Sequence, residues 1–317
     1  MAHILITGAH GFIGKHLAHW HASRGDQVCG LGHGIWPTSE AASWGISHWI
    51  NGDINAGNLR LLQQVSGTPD RVYHLAGGSS VGAAIANPRE DFFRTVATTV
   101  ELLEWLRQDA PTAKLVAISS AAVYGAGHDG QIAEDARLTP YSPYGYHKLM
   151  MEELCRSYAS SFGLQVSVAR LFSVFGPGLK KQLLWDFCTK IASGISTVEL
   201  GGTGEELRDW TDVRDVVRAL DLLGTMVGGK LTVANVGSGI GTSVRQIAER
   251  LLHCWCGPGG SEIALQFSGQ SRPGDPFRLV AQPARLQSLG FEWQFSVFQG
   301  LADYVRWYMD ELKRGAA

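Results

Sequence analysis

The chain has almost no net charge, no long hydrophobic run and no cysteine framework, and each absence removes a class of protein. Its 27 lysines and arginines stand against 29 aspartates and glutamates, a formal charge of −2, so the clustered basic footprint that nucleic acid demands is missing. No nucleic-acid partner is expected. Apolar residues are plentiful, yet no uninterrupted stretch reaches the roughly 20 needed to span a bilayer, and no membrane partner is expected. The five cysteines, Cys29, Cys155, Cys188, Cys254 and Cys256, are odd in number and scattered, which fits reduced packing residues better than disulfides. Met1 leads straight into His3-Ile4-Leu5-Ile6 without a basic leader or cleavage site, so the expected compartment is the cytoplasm. No metal is expected either: His16, His19 and His21 cluster on one predicted helix, but no carboxylate or cysteine joins them, and exposed histidines are the simpler reading.

What is present is an alternation of short β-branched runs with longer segments of helical period, the pattern of a parallel sheet covered on both faces. The strands expected are His3 to Thr7, Gln27 to Leu31, Arg71 to Leu75, Lys114 to Ser119, Gln165 to Arg170 and Thr232 to Val236. The helices expected are Phe12 to Ser23, Arg89 to Arg107, Tyr144 to Phe162, Val213 to Leu223 and Val244 to Cys254. This predicts an α/β fold: a Rossmann-type doubly wound parallel sheet over residues 1–172, with a smaller α/β substrate lobe over 173–317. The chain is expected to return to the first sheet around 210–236, so the two parts interleave.

The glycine pattern TGAHGFIG places Gly8, Gly11 and Gly14 between the first strand and the first helix. There a tight turn, a close backbone approach and a helix N-terminus at Phe12 and Ile13 suit the pyrophosphate of a dinucleotide. The second strand ends Gly30-Leu31-Gly32-His33 without the acid that often binds an adenosine ribose. Gly32 removes a charge that would repel a 2′-phosphate and His33 can donate to one, so NADP is preferred over NAD. The other reading is a plain strand-ending turn, with NAD held by contacts such as Asp53 and Ile54 near the adenine.

Further on stand SSAAVYG, from Ser119, and SPYGYHK, from Ser142. Tyr144 and Lys148 are one helical turn apart, so the ammonium is expected beside the phenol, lowering its pKa. Ser120 is expected to bind the substrate oxygen. A dinucleotide beside a Ser-Tyr-Lys set implies hydride transfer at a carbinol carbon, with Tyr144 moving the proton.

These motifs, together with YHLAGGSSV from Tyr73, RLFSVFGPG from Arg170, LRDWTDVRDVV from Leu207 and RPGD from Arg272, resemble the extended short-chain dehydrogenase/reductases that modify nucleotide sugars. The resemblance covers nearly the whole chain. It implies a seven-stranded nucleotide-binding lobe and a homodimer packed through the helices at 89–107 and 144–162. It adds Leu75, Ala76 and Gly77 to the cofactor site. A nucleotide-diphosphate sugar is the implied substrate, with Ser80, Ser120, Ser173, Lys181, Arg208, Arg272 and Asp275 lining its site. Guanidinium groups suit phosphate oxygens on physical grounds too.

Two departures narrow the chemistry. Ala121 and Ala122 stand where dehydratases of the family carry acids, and a methyl group cannot shuttle a proton. Ser173 stands where relatives often carry asparagine. The expected activity is reduction of an NDP-4-keto-6-deoxyhexose at C4, resembling GDP-4-keto-6-deoxymannose reductases. The alternative is an NAD-dependent 4-epimerase of a UDP-hexose, and a remote third reading is a cofactor-sensing protein without catalysis. Trp185 and Trp210 are the tryptophans placed to stack on a base or sugar, although core packing is the commoner fate of this side chain.

Overall fold

The structure, a computed structural model, describes residues 1–226, 231–257, 263–270 and 276–315. Strands β1 (His3–Thr7), β2 (Gln27–Gly32), β3 (Ile46–Asn51), β4 (Arg71–His74), β5 (Lys114–Ser120) and β6 (Val166–Leu171) form the main sheet. The next three, β7 (Ser173–Phe175), β8 (Thr197–Leu200) and β9 (Leu207–Asp212), leave it. Then β10 (Thr232–Val236) returns, before β11 (Gly241–Ser243), β12 (Ala264–Phe267) and β13 (Arg278–Leu279). The helices are α1 (Phe12–Ala22), α2 (Thr38–Ser43), α3 (Ala56–Ser66), α4 (Val81–Ala86), α5 (Pro88–Phe92), α6 (Thr98–Asp109), α7 (Pro143–Phe162), α8 (Gln182–Ala192), α9 (Val213–Thr225), α10 (Val244–Cys256), α11 (Ala284–Ser288) and α12 (Val297–Gly315).

The main sheet has seven strands in the order β10-β6-β5-β4-β1-β2-β3, and every neighbouring pair is parallel. Its central strands are apolar on both faces, with β6 buried along its whole length, because helices cover both sides. On one face α1 and α9 close a core of Ile4, Ile6, Leu17, Val216 and Leu220. On the other, α3, α6 and α7 close one of Leu5, Leu59, Leu102, Leu106 and Met151. From β1 the chain steps outward to β2 and β3, then crosses to β4 on the other side of β1. That reversal opens a crevice beyond the carboxyl ends of β1 and β4, where ligands of open α/β sheets bind.

The remaining strands form a four-stranded sheet around β9 and a two-stranded pair of β8 with β12. Phe187, Trp210, Ile247, Leu251 and Tyr304 fill the core beside them.

Three expectations change. The helix expected over 89–107 is α5, a wide π-helical turn over Phe93–Ala97, and α6. The Thr98 and Thr99 hydroxyls donate to the carbonyls of Arg94 and Thr95 there, and such side-chain bonds commonly distort a helix. Strand β3, ISHWIN, was not anticipated, because it lies at the sheet edge with Ser47 exposed and His48 only partly covered. His21 is fully buried, not exposed: Asp26 meets its Nδ1 at 2.9 Å and Tyr73 packs on its ring. Among the described residues no cluster of three or more His, Cys, Asp or Glu could hold a metal, and no helix is long and apolar enough to cross a membrane. All five cysteines are free.

Candidate active site

Helix α1 begins at Gly11 without a side-chain cap, which leaves its first N–H groups free to meet phosphate oxygens. The turn is held by Gly8 and Gly11, the latter N–H donating to the Gly8 carbonyl at 2.9 Å. A Cβ on Gly14 would lie 2.4 Å from that carbonyl oxygen, so only glycine lets the helix press on the strand end. Such a bare, donor-rich cradle fits a dinucleotide pyrophosphate.

Ser120 ends β5, and its Oγ accepts from the Ala122 N–H at 3.2 Å, capping a short turn over Ala121–Val123. Ser142 caps α7, with Pro143 in the first helical position, so Tyr144 emerges in the first turn and Lys148 one turn later. Gly145 is what lets the two segments meet: a Cβ there would sit 2.6 Å from the Ala122 carbonyl. Ser120 thereby lies against the Tyr144 phenol and pulls its pKa down, while burial, the larger effect, and the Asp91 charge push it up. The net direction is upward, opposite to the sequence expectation. Lys148 does not offset the burial, because its Nζ is 5.9 Å from the Tyr144 ring centroid and donates to the Ile118 carbonyl at 2.9 Å. Lys148 itself is pushed down to about 8 by burial, with Asp91 and Glu152 opposing.

These groups open onto a cavity of about 1280 Å³, above the range of a single small-ligand pocket and large enough for two bound molecules. Its lining brings together Gly8, Gly11, Phe12, Ile13, Gly14, Gly32, His33, Ile54, Leu75, Ala76 and Gly77 at one end. Ser80, Ser120, Tyr144, Lys148, Ser173, Lys181 and Arg208 line the rest. Asp53 is outside that lining but meets His33 Nε2 at 3.1 Å on the rim. Ser80 is half-buried and caps α4; Arg208 donates to the carbonyls of Leu207 and Phe277. Arg272 and Asp275 lie outside the described residues. Trp210 is 8% exposed and lines the cavity, whereas Trp185 packs on Tyr308 away from it.

Sequence reasoning missed the buried support beneath the site. Glu152, one turn beyond Lys148, accepts from Ser119 Oγ at 2.5 Å and from Arg170 through both oxygens. Arg170 continues to Tyr124 OH at 2.9 Å and the Glu134 carbonyl. An arginine inside the run VARLF was the available signal, since a cation in a buried strand requires a partner.

Comparison with known proteins agrees with this geometry. Residues 4–237 match the NAD dependent epimerase/dehydratase family. The chain belongs to that family. Among its relatives, the UDP-glucose 4-epimerase of Corynebacterium glutamicum is 30% identical over 91% of this chain and 90% of its own length. The UDP-glucuronate 4-epimerase 2 of Arabidopsis thaliana is 31% identical over 98% of this chain and 77% of its own. The solved structure described as MoeE5 in complex with UDP-glucose and NAD is 32% identical, with a TM-score of 0.84 over 98% of this chain and 99% of that one. The extended short-chain dehydrogenase/reductase resemblance and the Rossmann-type sheet therefore stand, and the chain is an enzyme of the epimerase/dehydratase type.

Proposed function

We propose that the chain is an NAD-dependent 4-epimerase acting on a UDP-hexose, the alternative of the sequence reading, in place of the NADP-dependent ketoreductase. The observation that carries the choice is the His33–Asp53 pair. The second strand ends without an acid, but Asp53 places a carboxylate 3.1 Å from the His33 ring at the same rim. A 2′-phosphate would meet that negative charge, whereas a ribose hydroxyl can donate to it. The 4-epimerase relatives, and the NAD in a structure similar to this one, support the same reading.

NAD, held by the Gly8, Gly11 and Gly14 turn with Gly32 and His33, would supply a reversible hydride acceptor beside the sugar carbon. The residues of this chain do the remainder. Ser120 holds the C4 oxygen; Tyr144 as phenolate accepts the C4 hydroxyl proton and later returns it. Lys148 supplies positive charge beside the phenolate and a donor for the cofactor ribose. Lys181 and Arg208 offer cations to the diphosphate, and Ser80 and Ser173 offer hydroxyls to the sugar. Turning the ketone over needs space, and the cavity wall near Ser120 offers it with Gly78, Ser79, Ala122 and Ser173. Ala121 and Ala122 supply no second acid or base, which supports epimerisation over dehydration. We assign the substrate, the residue roles, a homodimer through α5 to α7, and a reducing compartment suited to five free thiols to this proposal.

The test is incubation of the purified protein with UDP-glucose. Formation of UDP-galactose without net NADPH use, on retained NAD, and a loss of about 100-fold or more in Tyr144→Phe are expected. Consumption of NADPH by a 4-keto sugar nucleotide, with no interconversion of UDP-hexoses, would overturn it in favour of the reductase.

A further inference from the structure

Asp91 and His147 form a buried pair that no step above uses. Asp91, on α5, is 5% exposed and His147, on α7, 11%, and Nδ1 of the imidazole meets Oδ2 of the carboxylate at 2.6 Å. The other carboxylate oxygen presses on the loop after β4: a Cβ on Gly78 would lie 1.8 Å from Asp91 Oδ1. That loop is pinned by the Gly78 N–H donating to Thr95 Oγ1 at 2.8 Å. Its neighbour Gly77 touches the ammonium, since a Cβ there would be 3.3 Å from Lys148 Nζ. One glycine loop thus separates Asp91 from Lys148. A buried carboxylate is costly without a cation, and its position here calls for a use.

The charges around Lys148 single Asp91 out. On β4, His74 is buried and pushed down to about 3, hence neutral. On α7 itself Glu152 is matched by Arg170 from β6. From the α5 side Glu90 and Arg94 pair with each other at the surface; α4 carries no titratable group. On α6, Glu104 meets Arg107 and Tyr158, and Tyr158 lies nearly three turns along α7 from Lys148. Tyr124, beyond Ser120, bonds to Asn235 and Arg170. Among these groups Asp91 is the carboxylate facing Lys148 that is held by an imidazole and by no lysine or arginine.

We propose that Asp91, oriented by His147, is a positioning residue that sets the pH window in which Tyr144 moves its proton beside a charged Lys148. The carboxylate opposes the effect of burial on Lys148, so the ammonium persists to higher pH, and it also holds the proton on Tyr144 more tightly. Removing the charge therefore moves both groups the same way, toward lower pH. The inference rests on Tyr144 being the proton-transfer group and Lys148 the cation beside it.

The test is an NMR titration of the Lys148 Cε resonance in protein carrying isotope-labelled lysine, assigned by its absence from Lys148→Met. It needs neither substrate nor turnover, so failure of the epimerase reading leaves it intact. In Asp91→Asn the midpoint is expected to fall by roughly one unit, and both limbs of the kcat profile to move to lower pH with it. His147→Gln keeps a neutral donor and the carboxylate, and its midpoint should stay in place. His147→Leu frees the carboxylate to turn away and should give a smaller shift in the same direction, which serves if Asp91→Asn folds poorly. An unmoved midpoint in folded Asp91→Asn and His147→Leu would overturn the proposal. So would a shift in His147→Gln as large as that in Asp91→Asn, which would give the role to the imidazole. A fall in kcat with both limbs unmoved would reduce the pair to packing.

Discussion

At the scale of single residues, His74 is a fully buried polar group whose two ring nitrogens are both engaged. Its Nδ1 meets Thr7 Oγ1 at 2.8 Å and its Nε2 meets Thr99 Oγ1 at 3.1 Å. Because the Thr99 hydroxyl already donates to the Thr95 carbonyl, Nε2 carries the proton and Nδ1 accepts from Thr7. A second proton has no acceptor, and both burial and the Lys148 charge oppose it, so the ring is pushed down to about 3. The sign follows from linkage. The folded value is lowered, so the stability is fully present above the ordinary 6.5 and is lost as pH falls toward about 3. Denaturant unfolding between those values should lose up to about 1.4 kcal/mol per pH unit more than in His74→Gln. Equal slopes in the two proteins would remove His74 from the acid sensitivity.

At the scale of elements, the turn from β1 to α1 sets where the dinucleotide can lie. The Gly8 carbonyl and Ala9 block any Cβ on Gly14, at 2.4 and 2.7 Å, and both obstacles are backbone or next to it, so nothing swings aside. Gly14→Ala is expected to cost about 1–3 kcal/mol by overpacking and to lower NAD retention together with the melting temperature. Retained NAD with an unchanged melting temperature would show that the turn yields. This element was legible in the sequence because glycine spacing, strand and helix coincide within a dozen residues. The central strands were legible for a related reason: burial on both faces forces continuous apolar runs, and β1 matches its expected bounds, as β10 does at one edge. The edge strand β3 escaped, since half-exposed positions relax that demand. Tyr144 and Lys148 were legible as neighbours, but not the direction of the phenol's shift. That depends first on how deeply the phenol is buried and then on Asp91, some fifty residues away in sequence, while the ammonium that would offset them is taken by the Ile118 carbonyl. Likewise Asp53 and His33 come from the ends of two different strands, and their pairing is a fact of the sheet order.

At the scale of the whole molecule, the outer face of the α5 to α7 region carries a group of exposed apolar side chains. Phe93 lies in the wide turn that precedes α6 and Val100 in the first turn of α6, and Tyr146 and Met150 lie one turn apart on α7. All four are exposed, between 36% and 50%, and Phe92 joins them by packing its ring on Phe93 and on His147. Neighbouring apolar side chains on two packed helices mark an association surface, and helix pairs from two copies meeting about a two-fold axis would cover it. The surface lies on α7, where Tyr146 and Met150 flank Lys148 in sequence, so association would stiffen the segment that carries Tyr144. The protein is expected to sediment as a dimer at micromolar concentration. Val100→Lys with Met150→Lys places like charges across the axis and should give monomers with a lower melting temperature. Activity per chain should then rise with protein concentration, as monomers reassociate, while the unaltered protein shows no such dependence. A monomeric unaltered protein of full activity would refute the assembly and leave the exposed aromatic residues without a partner.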